Sequence, residues 1–374
     1  MPWQIIPTND YSNLIPALAD HISTRTLARP AIIVVPNKVI RTWLRQALAR
    51  HLGNLMAVTF MEEFAARRHF CGLPDEHTCH DVLLEAVIAN VLDEIGVDDP
   101  VWRPVQAWLS ANRGSRMELA GQLTRLIRFY DKQRPSMLKD FVNGVVPPLA
   151  SPDVHWQTEL VNRVWSKVDL AAPLSASDTV PLSESSIAAA GPVAIVGGAF
   201  LPLIDYRWVQ ALAAQPNVNV LQVLLSPCRE FFADNPTRKQ LMLSSTGADG
   251  AATFASPVLS SLGLLSRNEQ AFLIDTEESL LKRSVHVHTV YGGDAFREPD
   301  PTTRLGGLQL SILENTPNIS TESLSNVDDD SLVVNSCWSA VRELECVRDD
   351  ILLALHNDAS LHPRDIVITA PDLG

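Results

Sequence analysis

The sequence predicts an α/β fold, a parallel sheet flanked by helices with a helical block inserted into it. Short β-branched runs recur along the chain, and several are apolar without alternation, as strands buried on both faces are. Segments with the 3.6-residue helical period stand between most of them. From about Thr78 to Lys167 the strand signals stop and only helical patterns remain.

In order, the first strands are "WQIIPT" (Trp3–Thr8) and "AIIVV" (Ala31–Val35). After Pro36-Asn37 comes an amphipathic helix. Ile40, Trp43, Leu44, Ala47 and Leu48 share the face predicted to dock on the sheet, and Lys38, Arg41, Thr42 and Arg45 share the other. The inserted block carries "HDVLLEAVIANVLDEI", "VWRPVQAWLSAN", "RMELAGQLTRLIRFYDKQ" and "WQTELVNRVWSKV". In the third of these Leu119, Leu123, Leu126, Ile127 and Tyr130 face inward, with Arg125, Arg128 and Lys132 opposite. The Pro/Ser/Ala-rich stretch Leu170–Pro192 returns the chain to the sheet.

Further strands are expected at Pro192–Ala199, Val218–Ser226 and Val285–Gly292. A linker, Gly292–Asp330, ends in "NVDDD". A strand–helix–strand unit then starts at "SLVVNSC" (Ser331–Cys337) and ends at "DIVITAPD" (Asp365–Asp372). The expected boundaries are 1–77, 78–190, 191–330 and 331–374. The last unit has too little apolar surface to fold alone, so the chain is expected to be cut from a longer protein.

Of the 374 residues 46% are hydrophobic and 20% charged, and the net charge is −13. That balance disfavours a free-standing DNA binder, whose phosphate contacts need a basic field. Locally the balance reverses. Between Arg103 and Lys139 there are eight Lys/Arg and only two acids, Glu118 and Asp131. Five cysteines without a repeating framework suit a reducing cytoplasm. No apolar run has the length of a membrane span, so the expected location is cytoplasmic.

The run "AIIVVPNKVIRTWLRQAL" has the strand–turn–helix order of a phosphate-binding loop but none of its glycines, and Pro36 lacks an N–H. No Walker B acid pair follows either later strand. The loop is therefore expected not to hold nucleotide. His69, Cys71, His77, Cys79 and His80 cluster in sequence without the paired ligand spacing of structural zinc sites. His286 and His288 alternate on a strand without a third ligand. No catalytic grouping and no metal or cofactor site is expected in this chain.

The segments "SCWSAVRELECVRDDILLAL…PRDIVITAPD", "VVPNKVIRTWLRQALARHLG", "RFYDKQRPSML", "VAIVGGAFLPLIDYRWVQAL", "LLSPCREFF" and "SPVLSSLGLLSR" fall in one order. Together they resemble the RecC family, the gamma subunits of exodeoxyribonuclease V. The resemblance implies a superfamily 1 helicase-like, P-loop NTPase-like fold whose ATPase motifs are lost. Residues 1–77 and 191–330 then correspond to domain 1A, 78–190 to subdomain 1B, and 331–374 to the start of domain 2A. It implies a non-catalytic subunit of the RecBCD helicase–nuclease in double-strand break repair and recombination. Such a subunit guides the 3′-ended single strand and scans it for Chi. RecB-like and RecD-like subunits are the implied partners, with ATP and Mg on them, and single-stranded and forked DNA is the implied ligand. The resemblance and the basic faces together nominate Lys38, Arg41, Thr42, Arg45, Arg125, Arg128, Phe129 and Arg134 as DNA-binding residues. An AddB-like helicase–nuclease subunit is the first alternative, opposed by the missing glycines and by the lack of an iron–sulfur cysteine set. A pure protein-interaction scaffold is the second.

Overall fold

The computed structural model describes residues 3–72, 81–96, 99–111, 115–146, 154–167, 182–197, 203–237, 255–281, 287–289, 295–317 and 329–370. Six strands form one sheet: β1 (Trp3–Thr8), β2 (Ala31–Val35), β3 (Val58–Glu62), β4 (Val193–Val196), β5 (Val220–Leu225) and β6 (Val287–Thr289). Their spatial order is β3-β2-β4-β5-β1-β6, and every pairing among the described residues is parallel. The register sets Ile33 beside Phe60 and Ala194, and Val220 beside both Trp3 and Val193.

Helices α1 (Ile15–His21), α2 (Lys38–Leu52) and α3 (Glu63–Cys71) accompany the first three strands. The inserted block is α4 (Asp81–Asp93), α5 (Arg103–Ala111), α6 (Arg116–Gln133), α7 (Pro135–Val142) and α8 (Val154–Lys167). The chain returns through α9 (Glu184–Ala189) and continues with α10 (Leu203–Ala213), α11 (Pro257–Leu262), α12 (Leu264–Leu281), α13 (Arg304–Leu313) and α14 (Ala340–Asn357).

Strand alternation divides the sheet's side chains between two cores. Ile32, Val34, Val193 and Ile195 pack with Phe70 of α3 and Trp208 of α10, whose rings stack with centroids 5.7 Å apart. Ile33, Val35, Ala194 and Val196 pack on the other face with Leu18 of α1 and with Leu44 and Leu48 of α2. Burying one such side chain stabilises the fold by about 1.5–3 kcal/mol. Where α9 hands the chain to β4, Gly191 is required by close approach. A Cβ there would stand 2.4 Å from the Arg29 carbonyl oxygen and 2.8 Å from that of Pro30.

The helical block has its own core, in which Leu84, Ile88, Trp102, Leu123, Phe141 and Val164 are buried together. This agrees with the inward face predicted for α6. Leu119, Leu123 and Ile127 are buried, and Leu126 and Tyr130 are half-buried.

Four sequence expectations need correction. Strand β3 was not anticipated; "VTFME" is a half-exposed edge strand whose one strand neighbour among the described residues is β2. Trp43 is not inside the docking face of α2: it is 37% exposed, while Leu44 and Leu48 are fully buried. The predicted strands Ser331–Cys337 and Asp365–Asp372 do not form, with no strand present over 331–337 or 365–370. Residues 371–372, and those of Pro192–Ala199 and Val285–Gly292 at 198–199, 285–286 and 290–292, lie outside the described set.

The chain divides into two compact units, residues 1–298 with 312–317, and residues 299–311 with 318–374. In the second unit the Asp329 carboxylate accepts the backbone N–H groups of Arg304 and Ser331, and the Ser331 hydroxyl accepts that of Leu305 at 3.0 Å. None of the side chains of α14 is buried, and Val334 and Trp338 are 88% and 99% exposed.

Candidate nucleic-acid interface

The first group of predicted site residues stands at the carboxyl end of β2. Only Pro36 and Asn37 separate β2 from α2. Asn37 caps the helix: its Oδ1 accepts the Ile40 N–H at 2.9 Å, and its backbone oxygen accepts that of Arg41 at 3.1 Å. No residue from Val35 through Thr42 has a positive φ, so successive N–H groups do not converge into the concave nest that holds phosphate.

The neighbouring strand ends are closed by polar and aromatic contacts. The Tyr11 hydroxyl donates to the Gly197 carbonyl beyond β4, and the Tyr11 ring lies 6.4 Å from Trp43. Asn9 exchanges two hydrogen bonds with the Arg297 backbone, at 2.8 and 2.7 Å. Asp10 accepts from the Ser12 hydroxyl at 2.5 Å, the main reason its carboxyl is held below its ordinary value.

Along α2, Lys38, Thr42 and Arg45 are exposed. The Thr42 hydroxyl is occupied by the Lys38 carbonyl at 2.9 Å. Arg41 has a carboxylate of Glu62 at 3.9 Å, the long limit of an ion pair. Among the described residues Lys38 and Arg45 have no acidic partner.

The second group lies on α6. Arg125 and Phe129 are one helical turn apart and therefore share a face. Arg125 is exposed and Phe129 is 55% exposed, so Phe129 is not a core residue. Its neighbour Tyr130 turns inward, with its hydroxyl on Gln157 at 2.8 Å and its ring edge-on to Phe141. Burial raises the Tyr130 phenol. Arg128 differs from Arg125: its Nε donates to Asp81 of α4 at 2.8 Å. Arg134 is exposed beyond the end of α6, and its N–H donates to the Tyr130 carbonyl at 2.8 Å. The Lys132 side chain lies outside the described set.

The two groups stand on helices with different neighbours. Helix α2 packs on α1 and β2, whereas α6 packs on α4, α7 and α10. Helix α10 covers the sheet face opposite α2. Sequence periodicity identified each basic face but not this separation, and it missed the Asp81 partner of Arg128, which comes from 47 residues away. An exposed cation and an exposed aromatic one turn apart make Arg125 and Phe129 the strongest single constellation, suited to phosphate and to a stacked base.

Of the other sequence candidates, Cys71 is buried and burial lowers the His69 imidazole. His77, Cys79, His80 and His286 lie outside the described residues, as does the side chain of His288. Among the described residues no three His, Cys, Asp or Glu side chains gather as metal ligands. No helix among them is long and apolar enough to cross a membrane.

Comparison with known proteins gives one answer. The family described as "RecC, N-terminal domain" matches residues 3–315. The RecBCD enzyme subunit RecC of Mycolicibacterium smegmatis is 26% identical over 355 residues, 91% of this chain and 30% of that protein. The subunit of the same name from Mycobacterium tuberculosis H37Rv is 25% identical, covering 91% of this chain and 32% of the relative. That of Escherichia coli K12 is 28% identical, covering 92% and 34%. The chain thus spans about a third of the length of these relatives. With the match running through both sheet and helical block, the chain belongs to the RecC N-terminal domain family.

Proposed function

We propose that this chain serves in a RecC-type, non-catalytic subunit of a RecBCD helicase–nuclease in DNA repair and recombination, where it guides the 3′-ended single strand. The family match over residues 3–315 carries the reading. The loop at Pro36-Asn37 supports it, since a capped helix start without a glycine nest suits a superfamily 1 helicase-like domain whose nucleotide site has decayed. RecB-like and RecD-like subunits are the proposed partners and hold ATP and Mg. Scanning for Chi belongs to the same proposal.

The exposed face of α6 is the part of the track this chain supplies most directly. Arg125 and Arg134 meet phosphates, and Phe129 offers a surface for a base. The test uses the assembled complex with its partner subunits, comparing Arg125→Glu and Phe129→Ala with Arg364→Glu, a reversal at a side chain 80% exposed in the other unit. The α6 changes are expected to weaken crosslinking to single-stranded DNA, and each lost phosphate contact lowers the salt slope by roughly 0.7. Crosslinking that survives both changes as well as it survives the control would favour a protein-interaction scaffold.

A further inference from the structure

We propose that Cys337 and Cys346 form a redox-responsive dithiol, which closes to an intramolecular disulfide by exchange with a low-molecular-weight disulfide. Their sulfurs lie 3.7 Å apart, and both residues are partly exposed. The other described cysteines are unsuited. Cys71 is buried, and buried Cys228 gives its thiol to the Leu313 carbonyl at 3.3 Å.

The juxtaposition follows from local geometry. Ser339 caps α14, its Oγ accepting the Arg342 N–H. The preceding segment folds back along the helix, since Asn335 donates to Asp350 at 3.1 Å. Asn335 and Cys337 are two residues apart, and Asp350 and Cys346 are four apart. Side chains four apart on a helix lie on one face, so Cys346 and Asp350 present one face of α14 to the segment that carries Cys337 and Asn335. The Asn335–Asp350 bond is thus an independent contact that sets the same alignment.

Closure balances without any further reactant. The thiolate of one cysteine attacks the external disulfide, forming a mixed disulfide and expelling one small thiol. The second cysteine gives up its proton and displaces the other small thiol, completing the Cys337–Cys346 bond. Two cysteine thiols are oxidised and one small disulfide is reduced to two thiols. Burial first, then Cys346 and Glu343, raises the Cys337 thiol above its ordinary value. Since the thiolate is the attacking species, the exchange proceeds slowly at neutral pH. The closed form ties the segment before Ser339 covalently to the second turn of α14.

The test treats the intact chain with oxidised glutathione, counts thiols after denaturation, and maps linkages by peptide mass. Free thiols are expected to fall from the five in the sequence to three, with the loss located at Cys337–Cys346. The same exchange is then run in urea. Yield of that linkage at a fixed glutathione ratio is expected to be at least about tenfold higher in the folded chain, because the fold holds the sulfurs together. Cys346→Ser should retain a glutathione adduct on Cys337. Equal yields in the two states, stable adducts on both cysteines, or pairing of either with another cysteine would overturn the proposal.

Discussion

The indole of Trp43 lies beside the phenol of Tyr11, ring centroids 6.4 Å apart and planes inclined at 44°, at the carboxyl edge of the sheet. Trp43 thus leans over the strand ends and leaves the interior to Leu44, which is fully buried. Truncating Trp43 to Ala should cost about 1–3 kcal/mol, below the roughly 3–5 of a fully buried aromatic, whereas Leu44→Ala should cost about 2–5. Urea unfolding of both variants checks the order, and a Trp43 variant less stable than the Leu44 variant would reverse this assignment of the helix faces.

Tyr11 also makes the fold sensitive to alkali. Burial first, then the charges of Glu269 and Glu63, pushes its phenol up to about 12 from 10.0. Between these values the unfolded chain has lost the proton and the folded chain keeps it. The stability Tyr11 contributes is therefore complete below pH 10 and is lost as pH rises towards 12. Tyr11→Phe should flatten the alkaline fall in stability, and its absorbance titration should lose one of the four phenols from the part above the ordinary value of 10.0. Loss of a phenol that ionises at the ordinary 10.0 would instead place Tyr11 in open solvent.

Asn315 tests a backbone constraint. Its φ is +53°, and its side-chain amide exchanges two hydrogen bonds with Asn235, at 2.8 and 3.0 Å. Asn315→Gly loses the amide pair but tolerates the left-handed backbone. Asn315→Ala loses the pair and strains the backbone as well, so it should be less stable than the Gly variant by about 1–2 kcal/mol. Equal melting temperatures for the two would show that the backbone relaxes at this position.

Much of the sheet was legible beforehand. Ala31–Val35 and Val193–Val196 are uninterrupted apolar runs and Trp3–Thr8 and Val220–Leu225 are mostly apolar ones, and such runs form the buried strands of a parallel sheet. The edge strand β3 was missed because it has one strand neighbour among the described residues, so its composition is mixed and its apolar signal weak. Of the candidate site, the two basic helix faces were legible. The bond from Arg128 to Asp81 and the exposure of Phe129 were not, since both depend on which helix α6 meets.

By itself the sequence determined the α/β class, the helical block, the missing phosphate loop and the family. Each is written in local composition, period or motif order, which needs no partner to be read. Tertiary structure alone decided that "SLVVN" and "IVITA" form no strands, that Trp43 lies at a rim, and that the α2 and α6 basic faces belong to helices packed in different places. The physical reason is the same in each case. A β-branched run supplies only a propensity, and a strand exists when another backbone hydrogen-bonds to it. Likewise a charge on a helix becomes part of a site, or of an ion pair, according to what distant segment the fold places beside it.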